Sequence, residues 1–306
     1  MATRPRAAIS TPRPRNFAAL GAQVEAAPLA PGLYVVATPI GNLGDVTLRA
    51  LTTLAAAEAI LAEDTRITRR LIDRYAIATP LVAYHEHNAA EVRPRVLARL
   101  AAGEALALVS DAGTPLISDP GYKLVVEAAA AGATIFGLPG PCAAIAALTT
   151  AALPTDRFFF EGFLPPKSVA RRERLAALAA IPATLVFYEA PGRLAEALAD
   201  LAATLGPRPA AVARELTKLH EETRRGSLDA LAAHYAAAGA PKGEIVLVVG
   251  PPLAERRLEG EALDARIAAA LASFSVKDAA ATVAAEAGLP RREVYARALR
   301  LAAARR

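Results

Sequence analysis

Residues 106–121, LALVSDAGTPLISDPG, decide how the rest of the chain is read. Leu106, Ala107, Leu108 and Val109 are apolar without alternation, the pattern of a strand covered on both faces of a parallel sheet. Ser110, Asp111, Ala112, Gly113, Thr114 and Pro115 then break that pattern, so the strand empties into a loop. In open α/β sheets the carboxyl ends of strands border the ligand crevice, and glycine lets a ligand approach the backbone closely. A phosphate cradle is usually a glycine-rich turn with a lysine, whereas this loop has Asp111 and Asp119 and no cation before Lys123. Two carboxylates suit hydroxyls, amines or a cationic sulfur. The same aspartates also suit turns, or the cap of a helix starting near Gly121.

Working outward, strand and helix patterns alternate on both sides of this loop. Strands are predicted at 33–37, 59–62, 81–83 and 134–136, with helices at 47–57, from 65 through Asp73, at 91–101 and at 122–130. Polar clusters recur where these strands end: TPIGNLG at 38–44, Glu63 to Arg66, and Tyr84 to Asn88. Such repetition of acidic, basic and imidazole groups exceeds what turns require. Pro139, Gly140 and Pro141 make a tight turn into a helix whose first amides are placed to hold a carboxylate.

The second half changes style. An aromatic-rich stretch at 157–163 is broken by Pro165 and Pro166, and a basic helix with Lys167, Arg171, Arg172 and Arg174 follows. Strands at 184–188, 210–214 and 244–249 interleave with helices, which indicates a second α/β domain without fixing how its strands pair. Beyond residue 251 the strand signals stop, and 276–287, Gly288-Leu289-Pro290 and 291–301 read as helix, turn, helix with basic residues at both helix starts. That arrangement resembles a small nucleic-acid-binding module. The expected organisation is a disordered basic tail over 1–31, α/β domains over 32–140 and 141–252, and a helical extension over 253–306.

Composition limits the function. The chain has 306 residues, 54% hydrophobic and 21% charged, enough for two α/β domains and an appendage. No apolar run approaches the ~20 residues that span a bilayer, and the amino terminus lacks the apolar core of a secretory signal, so a cytoplasmic protein is expected. Cys142 is the only cysteine, which excludes an intrachain disulfide, and His85 with His87 is too sparse a ligand set, so no metal is expected. A net charge of +5, with Arg4, Arg6, Arg13 and Arg15 in the tail, permits a polyanionic partner.

The strings ATPIGNLGDVTLRAL, AEDTR, YHEHN, SDAGTPLISDPGY, LPGPCAAIAAL, LPTDRFFFEGFLPPK, FYEAPGR, ARELTKLHEE and KGEIVLVV occur in this order. Over residues 33–249 the chain thereby resembles bacterial small-subunit ribosomal RNA cytidine 2'-O-methyltransferases of the tetrapyrrole-methylase fold family. The resemblance implies two α/β domains with S-adenosylmethionine in the cleft between them, in a homodimer. Carried over position by position, it places Pro39, Ala112, Gly113, Thr114, Ile117, Cys142 and Ala143 at the cofactor, with Glu189 on the other wall; Asp111 joins them from the reading of the loop. Three positions depart from the pattern: Cys142 stands where serine is usual, Gly192 where histidine is usual, and Ala151 with Ala152 where Ser-Gly is usual.

The implied reaction is in-line transfer of a methyl group to a ribose oxygen with loss of the hydroxyl proton, accelerated mainly by alignment and water exclusion. Candidate groups at strand ends are Asp64, Lys218, Glu86 and His85, with Asp64 and Lys218 preferred. Arg66, Arg69, Arg70, Lys167, Arg171 and Arg172 are candidate contacts to RNA phosphates, with small-subunit rRNA or the assembled subunit as partner. A tetrapyrrole C-methylase, a catalytically silent RNA-binding protein and a phosphate-binding nucleotide enzyme are the competing readings.

Overall fold

The computed structural model describes residues 14–253 and 260–304, and the chain divides into two units that meet at Pro251 and Pro252. The first unit opens with a correction to the expected tail. Strands β1 (Asn16–Ala19) and β2 (Ala22–Glu25) form an antiparallel hairpin inside the stretch read as disordered. The cause is a single aromatic: Phe17 is 1% exposed and joins the core cluster that contains Leu51, Leu54 and Ile72. The Ala18 amide also donates to the Tyr75 carbonyl at 2.7 Å, and Arg15 pairs with Glu58 at 2.8 Å. Arg4, Arg6 and Arg13 lie outside the described residues.

The chain then runs through β3 (Gly32–Val36), α1 (Leu48–Ala56), β4 (Ala59–Ala62), α2 (Thr65–Arg74), β5 (Leu81–Ala83), α3 (Ala89–Ala101), β6 (Ala105–Val109), α4 (Tyr122–Ala130) and β7 (Ile135–Leu138). Its five strands form a wholly parallel sheet in the order β5-β4-β6-β3-β7. Side-chain alternation divides the core in two. Tyr34, Val36, Ile60 and Ala107 face the cluster with α1 and α2, whereas Leu33, Leu61, Leu106 and Leu108 face the one with α3 and α4. Neighbouring strands β3 and β6 therefore send their following helices to opposite faces, and the gap above their carboxyl ends is the crevice this topology creates. The two loops there are laced together: Thr38 and Gly113 exchange backbone hydrogen bonds at 2.8 and 3.0 Å.

Helix α5 (Ala143–Ala151) leads to β8 (Phe158–Phe163), α6 (Ser168–Leu178), β9 (Thr184–Glu189), α7 (Leu194–Leu205), β10 (Pro209–Arg214), β11 (Glu222–Ser227), α8 (Leu228–Ala238) and β12 (Ile245–Val249). The second sheet, ordered β11-β10-β12-β9-β8, is mixed: only β8 and β9 are parallel. One face packs on α6, α7 and α8. The other packs on α5, whose inward residues Ala144, Ala147, Leu148 and Ala151 meet Val186, Ala211, Ala213 and Val248. Alanine there lets the helix backbone lie close to the sheet. Ile40, from the loop after β3, joins this same cluster, so both sheets border one hollow.

The second unit is described by itself. Helices α9 (Gly260–Ala270), α10 (Val276–Ala287) and α11 (Arg291–Ala303) bury Leu263, Ile267, Val283 and Val294. Ser275 caps α10 by accepting from the Asp278 amide, and Gly288, at φ 60°, ends it before Pro290.

Candidate cofactor cavity and active site

The hollow above β3 and β6 has a volume of about 460 Å³, within the usual range for small-molecule sites. Asp111, Ala112, Gly113, Thr114 and Ile117 form one wall, Cys142 and Ala143 the floor at the start of α5, and Glu189 the far wall at the end of β9. Eight of the nine residues expected at the cofactor thus meet in one place. Pro39 does not line it; its neighbour Ile40 does.

The loop after β6 holds a shape that its side chains resist. Leu116 and Ser118 have φ of 75° and 65°, a region non-glycine residues occupy only when surrounding structure enforces it. Enforcement comes from Thr114, whose hydroxyl donates to the Pro141 carbonyl at 3.0 Å, and from Gly113, at φ 84°, where an added Cβ would stand 3.2 Å from Ile40. Asp111 accepts the Asp64 amide at 2.9 Å and so ties the ends of β6 and β4 together.

Charge is distributed unevenly. Glu63, Asp111, Asp119, Glu189 and Glu244 line the cavity, and none of the lining residues is lysine, arginine or histidine. Burial, then the charges of Asp111, Asp119 and Asp64, pushes the Glu63 carboxyl up. Burial likewise raises Asp111, and raises Asp119 from 3.8 to about 6, where Asp111 adds to the effect. Glu189 is held differently. Burial raises its pKa although the Ala190 amide donates to it at 2.7 Å and Arg193 lies 3.1 Å away. Tyr188, whose hydroxyl sits beside Cys142 and the Ala144 amide, is raised by burial and stays neutral. Cys142 therefore occupies the usual serine position in contact with a phenol. Gly192, where histidine is usual, has open space around it.

Asp64 and Lys218 fall outside the lining residues. Asp64 caps α2 through the Arg66 amide, and hydrogen bonds from the Arg66 side chain hold its carboxyl at about 2. Burial would lower the Lys218 ammonium, but hydrogen bonds to Glu215 at 2.6 Å and Glu244 at 2.7 Å prevail and raise it. Neither group offers a free base near neutral pH. Glu86 and His85 are likewise absent from the cavity wall.

Of the candidate phosphate contacts, Arg66, Arg69, Arg70, Lys167 and Arg172 are exposed. Arg171 is not, which corrects its assignment: it is 1% exposed and locked to Asp200 at 2.6 Å. Its charge is consumed inside the second lobe, where Ser168 and Arg172 also bind Asp200.

Several wall residues escaped sequence reasoning, among them Tyr188, Leu216 and the run 243–246. Because β12 is antiparallel to β9, its amino end (Ile245) lies opposite Glu189, so a search confined to carboxyl ends of strands passes over it. Glycine punctuation at 243 was the available signal: a Cβ there would meet Glu215 at 2.3 Å. Among the described residues no group of three or more His, Cys, Asp or Glu could hold a metal ion.

Residues 32–232 match the family model described as Tetrapyrrole (Corrin/Porphyrin) Methylases. The chain belongs to the tetrapyrrole methylases. Within that family it is 52% identical over 281 residues to Ribosomal RNA small subunit methyltransferase I of Mesorhizobium japonicum, covering 91% of this chain and 95% of that one. It is 50% identical to the protein of the same name from Xylella fastidiosa, over 86% and 97% of the two chains. Residues 258–302 match the model described as RsmI C-terminal HTH domain. The fold is shared with uroporphyrin-III C-methyltransferase of Thermus thermophilus, solved with S-adenyl homocysteine, at a TM-score of 0.53 and 18% identity over 72% and 97% of the chains.

Proposed function

We propose that this tetrapyrrole methylase transfers the methyl group of S-adenosylmethionine to the 2'-hydroxyl of a cytidine ribose in small-subunit rRNA, in the cytoplasm. The observation that carries the reading is the charge of the cavity: five carboxylates and no cation line a space of about 460 Å³ between two α/β lobes, and among the described residues only Glu189 and Glu244 of the five are ion-paired, to Arg193 and Lys218 behind the wall. Such a wall repels nucleotide phosphates and attracts a cationic sulfonium. Similarity to the small-subunit rRNA methyltransferases supplies the acceptor.

The bound cofactor would supply an activated methyl group. The chain's own residues supply the rest. Gly113, Thr114 and Ile117 would hold the adenosyl moiety against backbone and apolar side chains, while Cys142 and Ala143 would present the first amides of α5 to its carboxylate. Glu63, Asp111, Asp119 and Glu189 are all raised by burial, and Asp119, at about 6, is the cavity carboxyl placed to take a proton near neutral pH. Asp64 and Lys218 would act as positioning residues, the first fixing Arg66 and the second bracing Glu215 and Glu244. Arg69, Arg70 and Lys167 carry exposed charge with no acidic partner among the described residues and would meet RNA phosphates, joined by Arg66 and Arg172. A homodimer belongs to the same reading, and sedimentation of the purified protein tests it.

The deciding experiment maps ribose methylation in rRNA from cells with and without the gene. One methyl group should disappear, returning with the intact protein and not with Asp111→Ala. An unchanged methylation map would refute the assignment.

A further inference from the structure

A second hollow, of about 390 Å³, opens at the edge of the second sheet. Arg214 at the end of β10, Arg224 on the edge strand β11, His220, His234 of α8 and Lys242 line it, with Glu222 as its one carboxylate. Glu222 is shared: Arg214 donates to one oxygen at 3.2 Å and Arg224 to the other at 2.8 Å. One negative charge thus answers two guanidiniums, and Lys242 is left over. His220, His234 and the Lys242 ammonium make no hydrogen bond or ion pair with the described residues. Tyr235, buried beneath them, contacts Arg224 through its hydroxyl and His234 edge-on at 4.9 Å.

The position of this hollow matters as much as its charge. Lys242 lines it and Gly243, the next residue, lines the cofactor cavity; Arg214 lines it and Leu216, two residues on, lines the cavity. The basic hollow and the acidic cavity therefore share a rim made of two chain segments. That rim is one or two residues wide, about 4–7 Å of chain, so an anion in the hollow would be a neighbour of the cavity.

We infer that this hollow binds the phosphodiester backbone of the RNA next to the methylated ribose. The inference rests on the rRNA reading above and adds a place where the strand is gripped. Arg224 and Lys242 are the gripping charges, His220 and His234 offer further N–H donors, and Glu222 bridges the two guanidiniums in the free protein. Phosphate contacts of this kind fix register and orientation without reading sequence.

The test compares the wild-type protein with the double variant Arg224→Gln/Lys242→Gln and with Glu222→Gln, all in the full chain and with melting curves to verify folding. Arg214 is left alone because it also ties down the Lys242 carbonyl at 3.1 Å. Binding of deproteinised small-subunit rRNA is measured across a salt series, S-adenosylmethionine binding by calorimetry, and methyl transfer as KM and kcat separately. Losing two phosphate contacts should flatten the log–log salt slope by about 1.4–1.8 and weaken rRNA binding tenfold or more near 0.1 M salt, with cofactor affinity and kcat unchanged. Glu222→Gln should tighten rRNA binding severalfold. An unchanged slope in the double variant overturns the inference even if the wild type methylates rRNA. A flattened slope with no methyl transfer by the wild type would leave an RNA-backbone grip at the hollow while refuting the proposed function, and with it the placement beside a methylated ribose. Should inorganic phosphate bind the wild type at micromolar concentrations while rRNA binding ignores both variants, the hollow serves a free anion and the inference fails.

Discussion

Replacing Asp119 by asparagine should make the protein more stable and its cofactor binding weaker at once. The carboxyl is displaced from 3.8 to about 6, first by burial and then by Asp111, against a hydrogen bond from Ser110. A displacement of about two pH units corresponds to ~3 kcal/mol at ~1.4 kcal/mol per unit. The side chain is only half-buried, so solvent screening cuts this to about 1–1.5 kcal/mol. The sign follows from linkage. The folded pKa lies above the unfolded one, so the native state retains a proton that the unfolded chain has lost between about 4 and 6. Stability conferred by that proton is complete below 4, falls as pH rises through 6, and is gone above it.

Asparagine keeps the shape and an acceptor for Ser110 but carries no charge. At pH 8 Asp119→Asn should melt about 2–4 °C higher than the wild type, the usual response to ~1 kcal/mol in a chain of this size. At pH 4.5 the two curves should nearly coincide. Cofactor affinity should move the opposite way: the wild type gains affinity as pH rises through 6, whereas the variant stays flat there and binds about tenfold more weakly at pH 8, a loss of ~1.4 kcal/mol. Scanning calorimetry at the two pH values and titration calorimetry with S-adenosylmethionine read both effects. A variant that melts lower at pH 8, gains equally at pH 4.5, or binds cofactor as tightly as the wild type would refute the claim that this wall stores repulsion for a cation to relieve.

Three further substitutions test the packing around the site. Phe17→Ala should cost about 3–5 kcal/mol in urea unfolding, since the ring is 1% exposed; a loss below ~0.5 kcal/mol would return the segment to tail status. Asp200→Ala should cost a similar ~3–5 kcal/mol by stranding the buried Arg171 guanidinium, and pairing it with Arg171→Met should recover much of the loss. Gly113→Ala places a Cβ at φ 84° and 3.2 Å from Ile40, so about 1–2 kcal/mol of stability should go, together with cofactor affinity, as measured by melting and calorimetry.

How much of this was legible in the sequence depends on the kind of pairing. In the parallel lobe, uninterrupted apolar runs and the rule that ligands gather at carboxyl ends of strands lead straight to Asp111, Gly113 and Thr114, and the structure gathers them at one wall. In the second lobe the same rule finds Glu189 and overlooks Ile245 directly opposite, because strand direction is not written in local residue pattern. Burial of charge is equally hidden. Arg171 and Arg172 are neighbours in a basic helix and both bind Asp200, yet helical geometry buries Arg171, 1% exposed, and leaves Arg172 reaching the carboxylate from the surface. The hairpin at 16–25 was missed for the converse reason: proline and arginine dominate its surroundings, and one phenylalanine suffices to anchor it.

Methyl transfer to RNA brings together reactants of opposite charge, a sulfonium and a phosphodiester polyanion, and the molecule answers this with two fields on either side of one rim. Each field is uncomfortable on its own. Glu63, Asp111 and Asp119 are raised by burial and by neighbouring carboxylates, and Arg214 and Arg224 must share Glu222. Folding alone would favour neutral residues in both places, since unpaired or half-paired charge in a partly desolvated site costs stability. Retaining both fields side by side is explained if each is discharged by its own ligand. Lys218 makes the separation workable: its ammonium bridges Glu215 and Glu244 beside the shared rim, neutralising these two carboxylates while leaving Glu63, Asp111 and Asp119 free to attract the cation. Glu215 and Thr217, in the turn that carries Lys218 to this bridge, have φ of 51° and 66°, a region that costs a non-glycine residue stability.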